Sequence, residues 1–152
     1  MSFNLKSLMV DTKSAWVSYP GLDGFEVEVV NLGRQRLVEL RKNCVETKFD
    51  RKTRVPIETL NEKKFIREFT DATIKDWKGL KLIHLEELML VDISTEEPSQ
   101  ELPYDQDNAE LLVSNSADFD TWLNEVVFDL ENFRSKRTGR GVESVGEVAE
   151  QL

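Results

Sequence analysis

Two side chains able to act as nucleophile or base stand alone in this sequence. Cys44 is its one cysteine and His84 its one histidine. A Cys–His or Ser–His pair would have to use His84, as would any imidazole general base. The two lie in segments of different pattern, and nothing in the sequence draws them together. Cys44 falls on an apolar helical face, where a free thiol behaves as a small core residue. His84 opens a short apolar run and fits a helix-start or surface position better than a base without an orienting partner.

Asp105, Asp107 and Glu110 invite a calcium reading. An EF-hand loop carries a ligand at its fifth position and Gly at its sixth, where this chain has Ala109 and Glu110. Helix capping is the better account. One Cys and one His do not make a zinc site. Gly21 and Gly24, and later Gly139 and Gly141, open no phosphate-binding loop, since neither GxxxxGK[ST] nor GxGxxG occurs. The expectation is therefore a protein without catalytic residues, metal or cofactor. Arg134, Lys136, Arg137 and Arg140 could contact RNA or an acidic partner, but cations past a helix end also suit its dipole. The acidic run from Glu86 to Glu110 could imitate nucleic acid, although a solvated acidic loop is commoner.

The remaining candidate surface is apolar. Leu85, Leu88, Met89, Leu90 and Ile93 crowd a segment whose surroundings are acidic and broken by prolines, with Glu86 and Glu87 among them. They are expected to form a docking surface for an apolar helical partner, rimmed by Glu86, Glu87, Asp92, Glu96 and Glu97. Completion of the core is the competing use, and periodicity does not divide the two.

The whole chain bounds these readings. Its 152 residues suit one domain, and a chain this long buries roughly 68–70% of its unfolded surface. It is 39% apolar and 32% charged, with a net charge of −9, which disfavours general nucleic-acid binding. There is no apolar run of the roughly 18 residues a membrane span needs, and the first residues show no signal-peptide pattern. A single cysteine forms no intrachain disulfide and suits a reducing cytosol.

The elements that must position these residues begin with a β-hairpin, Ala15–Tyr19 and Phe25–Val30 around the loop Pro20-Gly21-Leu22-Asp23-Gly24. Phe25, Val27 and Val29 alternate with Glu26 and Glu28. The period then changes, and Leu37, Leu40 and Cys44, flanked by Val38 and Val45, predict a helix from about Gly33 to Glu46. A basic connector follows, and Val55-Pro56-Ile57 hints at a second hairpin. Thr59-Leu60-Asn61-Glu62 reads as a capping box opening a helix with Phe65, Ile66, Phe69 and Thr73 on one stripe, with Ile74 and Trp77 near its end and Gly79 as its stop. His84–Leu90 predicts one or two helical turns, and Val91–Leu102 an exposed loop. Asp107 to Glu110 reads as a second capping box, for a helix through Val113, and Ser114–Ser116 breaks and recaps the chain. Phe119, Trp122, Leu123, Val126, Val127, Leu130 and Phe133 predict one helix over Ala117–Phe133. The expected fold is α+β: an N-terminal β-hairpin packed on a small helical bundle, mainly helical after residue 32. Residues 1–134 form one domain and 135–152 a flexible polar C-terminal tail.

The ordered segments resemble the tail assembly chaperones of long-tailed bacteriophages. The resemblance rests on Trp16 and the Tyr19–Val29 hairpin, then Ala72-Thr73-Ile74-Lys75-Asp76-Trp77-Lys78-Gly79-Leu80. It continues in Leu102-Pro103-Tyr104-Asp105, Asn108-Ala109-Glu110-Leu111-Leu112, Phe119-Asp120-Thr121-Trp122-Leu123 and Leu130-Glu131-Asn132-Phe133, and covers most of Val10–Arg134. Typical members keep the Trp-Lys-Gly and Pro-Tyr motifs close together; here the acidic stretch Lys81–Glu101 separates them. The resemblance implies a non-enzymatic chaperone that binds the tape measure protein, keeps it soluble in the host cell cytoplasm, promotes tail tube assembly and is absent from the mature virion. Its implied partners are the tape measure protein and the tail tube protein, the latter through a frameshifted longer form; self-association is left open, and neither nucleic acid nor membrane is implied. The alternatives are an acidic protein-binding module, a nucleic-acid mimic acting as an inhibitor, or a small enzyme in which His84 meets Cys44 or a carboxylate.

Overall fold

A computed structural model describes residues 4–9 and 13–134 of the chain. Its elements run α1 (Leu5–Leu8), β1 (Ser14–Ser18), β2 (Glu26–Val30), α2 (Arg34–Asn43), β3 (Val45–Phe49) and β4 (Pro56–Leu60). There follow α3 (Glu62–Thr73), β5 (Ile74–Lys78), α4 (Leu82–Leu88), α5 (Gln106–Asn115), α6 (Ala117–Phe128) and a 3-10 helix, Leu130–Phe133. The fold is α+β, with the N-terminal hairpin packed on helices.

The first hairpin forms as its alternation predicts. Ser14 pairs with Val30 and Ser18 with Glu26, and the Tyr19 N–H donates to the Phe25 carbonyl at 2.9 Å to close the turn. Phe25, Val27 and Val29 are buried, while Glu26 and Glu28 stay partly exposed on the other face. On that outer face the Lys78 ammonium lies 4.6 Å from the Trp16 ring centre and 3.7 Å from a Glu26 carboxylate oxygen.

The segment Ile74–Lys78 corrects the expectation most. Ile74 and Trp77 do not extend α3; they belong to β5, which pairs antiparallel with β2 and makes β2 the centre of a three-stranded sheet, β1-β2-β5. Val27 faces Trp77 and Glu28 faces Asp76, but Val29 faces Ile74, so Lys75 is an extra, bulged residue. A bulge restores inward direction after an odd step. Ile74 and Trp77 are both buried although three positions apart, a spacing that in a sequence reads as helical.

One core joins the inner face of the sheet to the helices. Phe25 and Phe119 rings stack at 6.3 Å between centres, and Tyr19 packs on Trp122 at 4.9 Å. Phe69 of α3, Ala109 and Leu112 of α5, and Leu123, Val126 and Val127 of α6 complete it.

Several boundaries differ from expectation. The second helix ends at Asn43 rather than near Glu46, because Val45 already pairs with Leu60 in the β3–β4 hairpin; Val38 and Val45 are exposed, while Leu40 and Cys44 are buried. The N-cap of α3 is Asn61, whose side chain accepts from the Lys64 N–H, and Thr59 lies in β4. The N-cap of α5 is Asp105, accepting from the Asn108 N–H at 2.7 Å, not Asp107. Ser116 ends α5 and caps α6, as the Ser114–Ser116 break predicts. The last helix is not continuous to Phe133. Asp129 interrupts it and caps the 3-10 helix through the Glu131 N–H, so Leu130 leaves the buried stripe while Phe133 rejoins it. The expected flexible tail, 135–152, lies outside the described residues. Among the described residues no helix is long and apolar enough to cross a membrane.

Candidate functional site

The Trp-Lys-Gly and Pro-Tyr motifs meet in space. The Trp77 indole N–H donates to the Leu102 carbonyl at 2.9 Å, and its ring meets Tyr104 edge-on at 5.2 Å. The Tyr104 hydroxyl donates to the Ile74 carbonyl at 3.3 Å. Burial raises the Tyr104 pKa, helped by the nearby Asp71, Asp76 and Asp105 carboxylates. The acidic stretch between the motifs is a closed excursion. The Leu102 N–H donates to the Leu80 carbonyl at 2.7 Å, and Lys81 bridges Glu101 across the neck. Gly79, expected as a helix stop, follows a strand instead. At φ 75 it sits so close to Gly24 that a Cβ would collide with the Gly24 carbonyl.

The excursion accounts for His84. Its Nδ1 accepts the Lys81 backbone N–H at 3.1 Å, while Gln100 and Pro98 carbonyls accept from the Leu82 and Ile83 N–H groups. The first turn of α4 is thus satisfied by its own histidine and by the returning loop. Accepting at Nδ1 holds the neutral ring as its Nε2–H tautomer. Cys44 is fully buried at the end of α2, and among the described residues no hydrogen bond joins it to His84. Nor does any group of three His, Cys, Asp or Glu among those residues offer a metal site.

The expected docking surface divides. Leu85 and Leu88 are core residues, each 8% exposed, so their place in a partner surface is corrected. The physical reason is their three-residue spacing on α4, which turns both inward onto the helices. Met89 packs partly on the same core and Ile93 is half-buried, while Glu86 and Glu87 are exposed. Leu90 alone stands fully in solvent. Asp92 and Glu97 turn back on their own loop, accepting the Ser94 and Ser99 backbone N–H groups respectively; hydrogen bonds from the Ser94 backbone N–H and then its side chain hold the Asp92 carboxyl below its ordinary pKa.

An apolar groove lies elsewhere, between the start of α2 and the end of α6. It encloses about 440 Å³ and is lined by Asn31, Leu32, Gly33, Arg34, Leu37, Phe128 and Leu130. Phe128 is 41% and Leu130 57% exposed. The groove exists because α6 stops there. The Val127 carbonyl is taken by the Leu32 N–H at 3.1 Å and the Asn31 side-chain amide at 2.9 Å, and Asn132 caps the Val126 carbonyl at 3.1 Å. On the other side of α2 a larger cleft of about 780 Å³ is bordered by mixed charge, including Arg36, Lys42, Glu68, Asp71 and Lys75. The sequence did not single out this groove, because its walls come from residues far apart in the chain; Leu130, placed on a buried stripe, is one of them.

Comparison with protein-family models, with curated proteins and with solved structures returns no match to this chain.

Proposed function

We propose that this chain is a tail assembly chaperone of a long-tailed bacteriophage. On this reading it is not an enzyme. It binds the tape measure protein in the host cell cytoplasm, keeps that long apolar helix soluble, and hands it to the tail tube protein, which a frameshifted longer form recruits; it leaves before the virion matures. The observation that carries the reading is the junction of Trp77, Leu102 and Tyr104. The motifs that carry the resemblance are adjacent in typical members, and here they pack as one unit because Lys81–Glu101 leaves and returns at a single neck.

The docking surface on this reading is the groove of Leu37, Phe128 and Leu130, an apolar slot suited to one face of a partner helix. A net charge of −9 supplies repulsion between copies of an abundant soluble chaperone. Co-expression with a candidate tape measure protein, followed by pull-down, tests the reading. Wild type is expected to bring down the partner in soluble form. Phe128→Asp with Leu130→Asp, both at exposed positions, is expected to stay folded and lose it. A partner that stays insoluble and unbound beside wild-type protein sinks the chaperone reading.

A further inference from the structure

The β3–β4 hairpin keeps one backbone edge open. The Asp50 N–H donates to the Val55 carbonyl at 3.1 Å and the Asn61 N–H to the Cys44 carbonyl at 2.8 Å, so hydrogen-bonded pairs stand at both ends of the ladder. Such pairs alternate along antiparallel strands. With Val45 opposite Leu60 and Phe49 opposite Pro56, the groups of β3 that face β4 belong to Glu46 and Lys48. Val45, Thr47 and Phe49 turn their N–H and C=O groups outward, and among the described residues no backbone group from outside the hairpin meets them. The outer edge of β4 is poorer, because Pro56 has no N–H to offer. We propose that the β3 edge takes an extended, acidic segment of a partner protein as a third strand, its apolar side chains over Val45 and Phe49 and its carboxylates on the Lys48 face and beside the turn.

Shape and charge select this occupant. Val45, Thr47 and Phe49 share one face of the strand, with Val45 40% and Phe49 73% exposed, so an added strand meets a backbone row and an apolar row together. Around the turn Lys48, Arg51, Lys52 and Arg54 stand against Asp50, in a chain of net −9. The Asp50 carboxylate is engaged within the turn, accepting the Lys52 backbone N–H at 2.9 Å, and Glu46 accepts from the Asn61 amide at 3.2 Å. The cations are therefore left to an incoming carboxylate. A second copy fits less well. Two β3 edges paired antiparallel about Thr47 would carry Arg51 and Lys52 of one copy to the end of the other's α2, which holds Arg41 and Lys42, like charge against like. A nucleic-acid strand would answer the cations but leave the outward N–H and C=O row unpaired.

Amide NMR of the full-length chain reads the contact, with a synthetic peptide of about eight residues alternating Val and Glu as the probe. Shifts are expected at Val45, Thr47, Phe49 and the turn, and exchange of those three amides is expected to slow at least about tenfold at saturation. Thr47→Pro removes an outward N–H while sparing the β3–β4 bonds, and is expected to abolish binding. Arg51→Glu with Lys52→Glu, at exposed turn positions, is expected to weaken binding at least about tenfold. Unchanged Val27 and Val29 amides show that each variant is folded. Absence of shifts in β3 at millimolar peptide overturns the proposal, as does equal binding of a peptide with Lys in place of Glu. Binding that survives Thr47→Pro in folded protein overturns it too, since the strand edge is then not used. Tighter binding of single-stranded oligouridine at the same residues overturns it in favour of nucleic acid. Shifts in β3 that grow with protein concentration alone overturn it in favour of a second copy.

Discussion

The hairpins β1–β2 and β3–β4 each pair five residues with five in antiparallel register. In the first, Val27 and Val29 are fully buried, and the flanking Phe25 packs against Trp77 and Phe119. In the second, every strand residue is exposed except Leu60, and Phe49 at its end is 73% exposed. Backbone pairing is the same in both, so pairing alone does not decide how firmly a hairpin is held. An isolated two-stranded hairpin is marginal in water, and a third strand with a helical layer gives independent stability. The first hairpin has both, through β5 and α6. The second carries Lys48, Arg51, Lys52 and Arg54 around its turn, charges that discourage edge-to-edge pairing.

The contrast is sharpest for two phenylalanines. Phe119→Ala empties a fully buried site and is expected to cost about 3–5 kcal/mol. Phe49→Ala is expected to stay within about 0.5 kcal/mol of wild type. Equal losses in urea unfolding would mean that the second hairpin packs on something after all. Gly79→Ala attacks the junction between the first hairpin and β5. A left-handed backbone and a clash with Gly24 together predict a loss above about 2 kcal/mol. A melting midpoint unchanged by that substitution would contradict the close approach.

A smaller effect of opposite sign is expected behind the sheet. The Thr70 hydroxyl of α3 is buried with no hydrogen-bond partner among the described residues, whereas Thr73 donates to the Phe69 carbonyl at 2.7 Å. Thr70→Val keeps the shape and removes the orphan group, so a gain of about 1 kcal/mol is expected. A destabilised Thr70→Val protein would show that the hydroxyl is satisfied.

Alkaline pH gives the mildest test. The chain's two tyrosines, Tyr19 and Tyr104, both have raised pKa values; burial is the main cause, joined at Tyr19 by the Asp118 carboxylate. Between the unfolded and folded values the native state holds more protons, so their contribution is intact below about pH 10 and declines as pH rises through the folded values. Tyrosine absorbance should titrate later in native than in urea-unfolded protein. Coincident curves would contradict the burial of both rings.

Legibility in the sequence follows the same contrast. Pro20-Gly21 and Asp23-Gly24 announce the first hairpin. The second turns without glycine, and Arg54 takes a left-handed backbone at φ 58, so only Val55-Pro56-Ile57 hinted at it. The strand β5 was hidden by its bulge at Lys75, which gives two inward residues a helical spacing. Cys44 as core and His84 at a helix start were readable from local pattern. Dividing Leu85 and Leu88 from Leu90 was not, because core and surface share one short apolar run. The groove depends on where α6 stops, and that is set by Asn31 and Leu32 reaching the Val127 carbonyl from far away in the sequence.

The central claim is that this chain works by holding an apolar helix in that groove. Backbone amide NMR, with a soluble apolar helical segment of tape measure protein titrated into the full-length chain, tests it directly. The account predicts shifts concentrated at Arg34–Leu37 and Phe128–Leu130, with β3–β4 unchanged. Shifts confined to β3–β4 or to α4 and its loop, or no shifts at saturating segment, would contradict it.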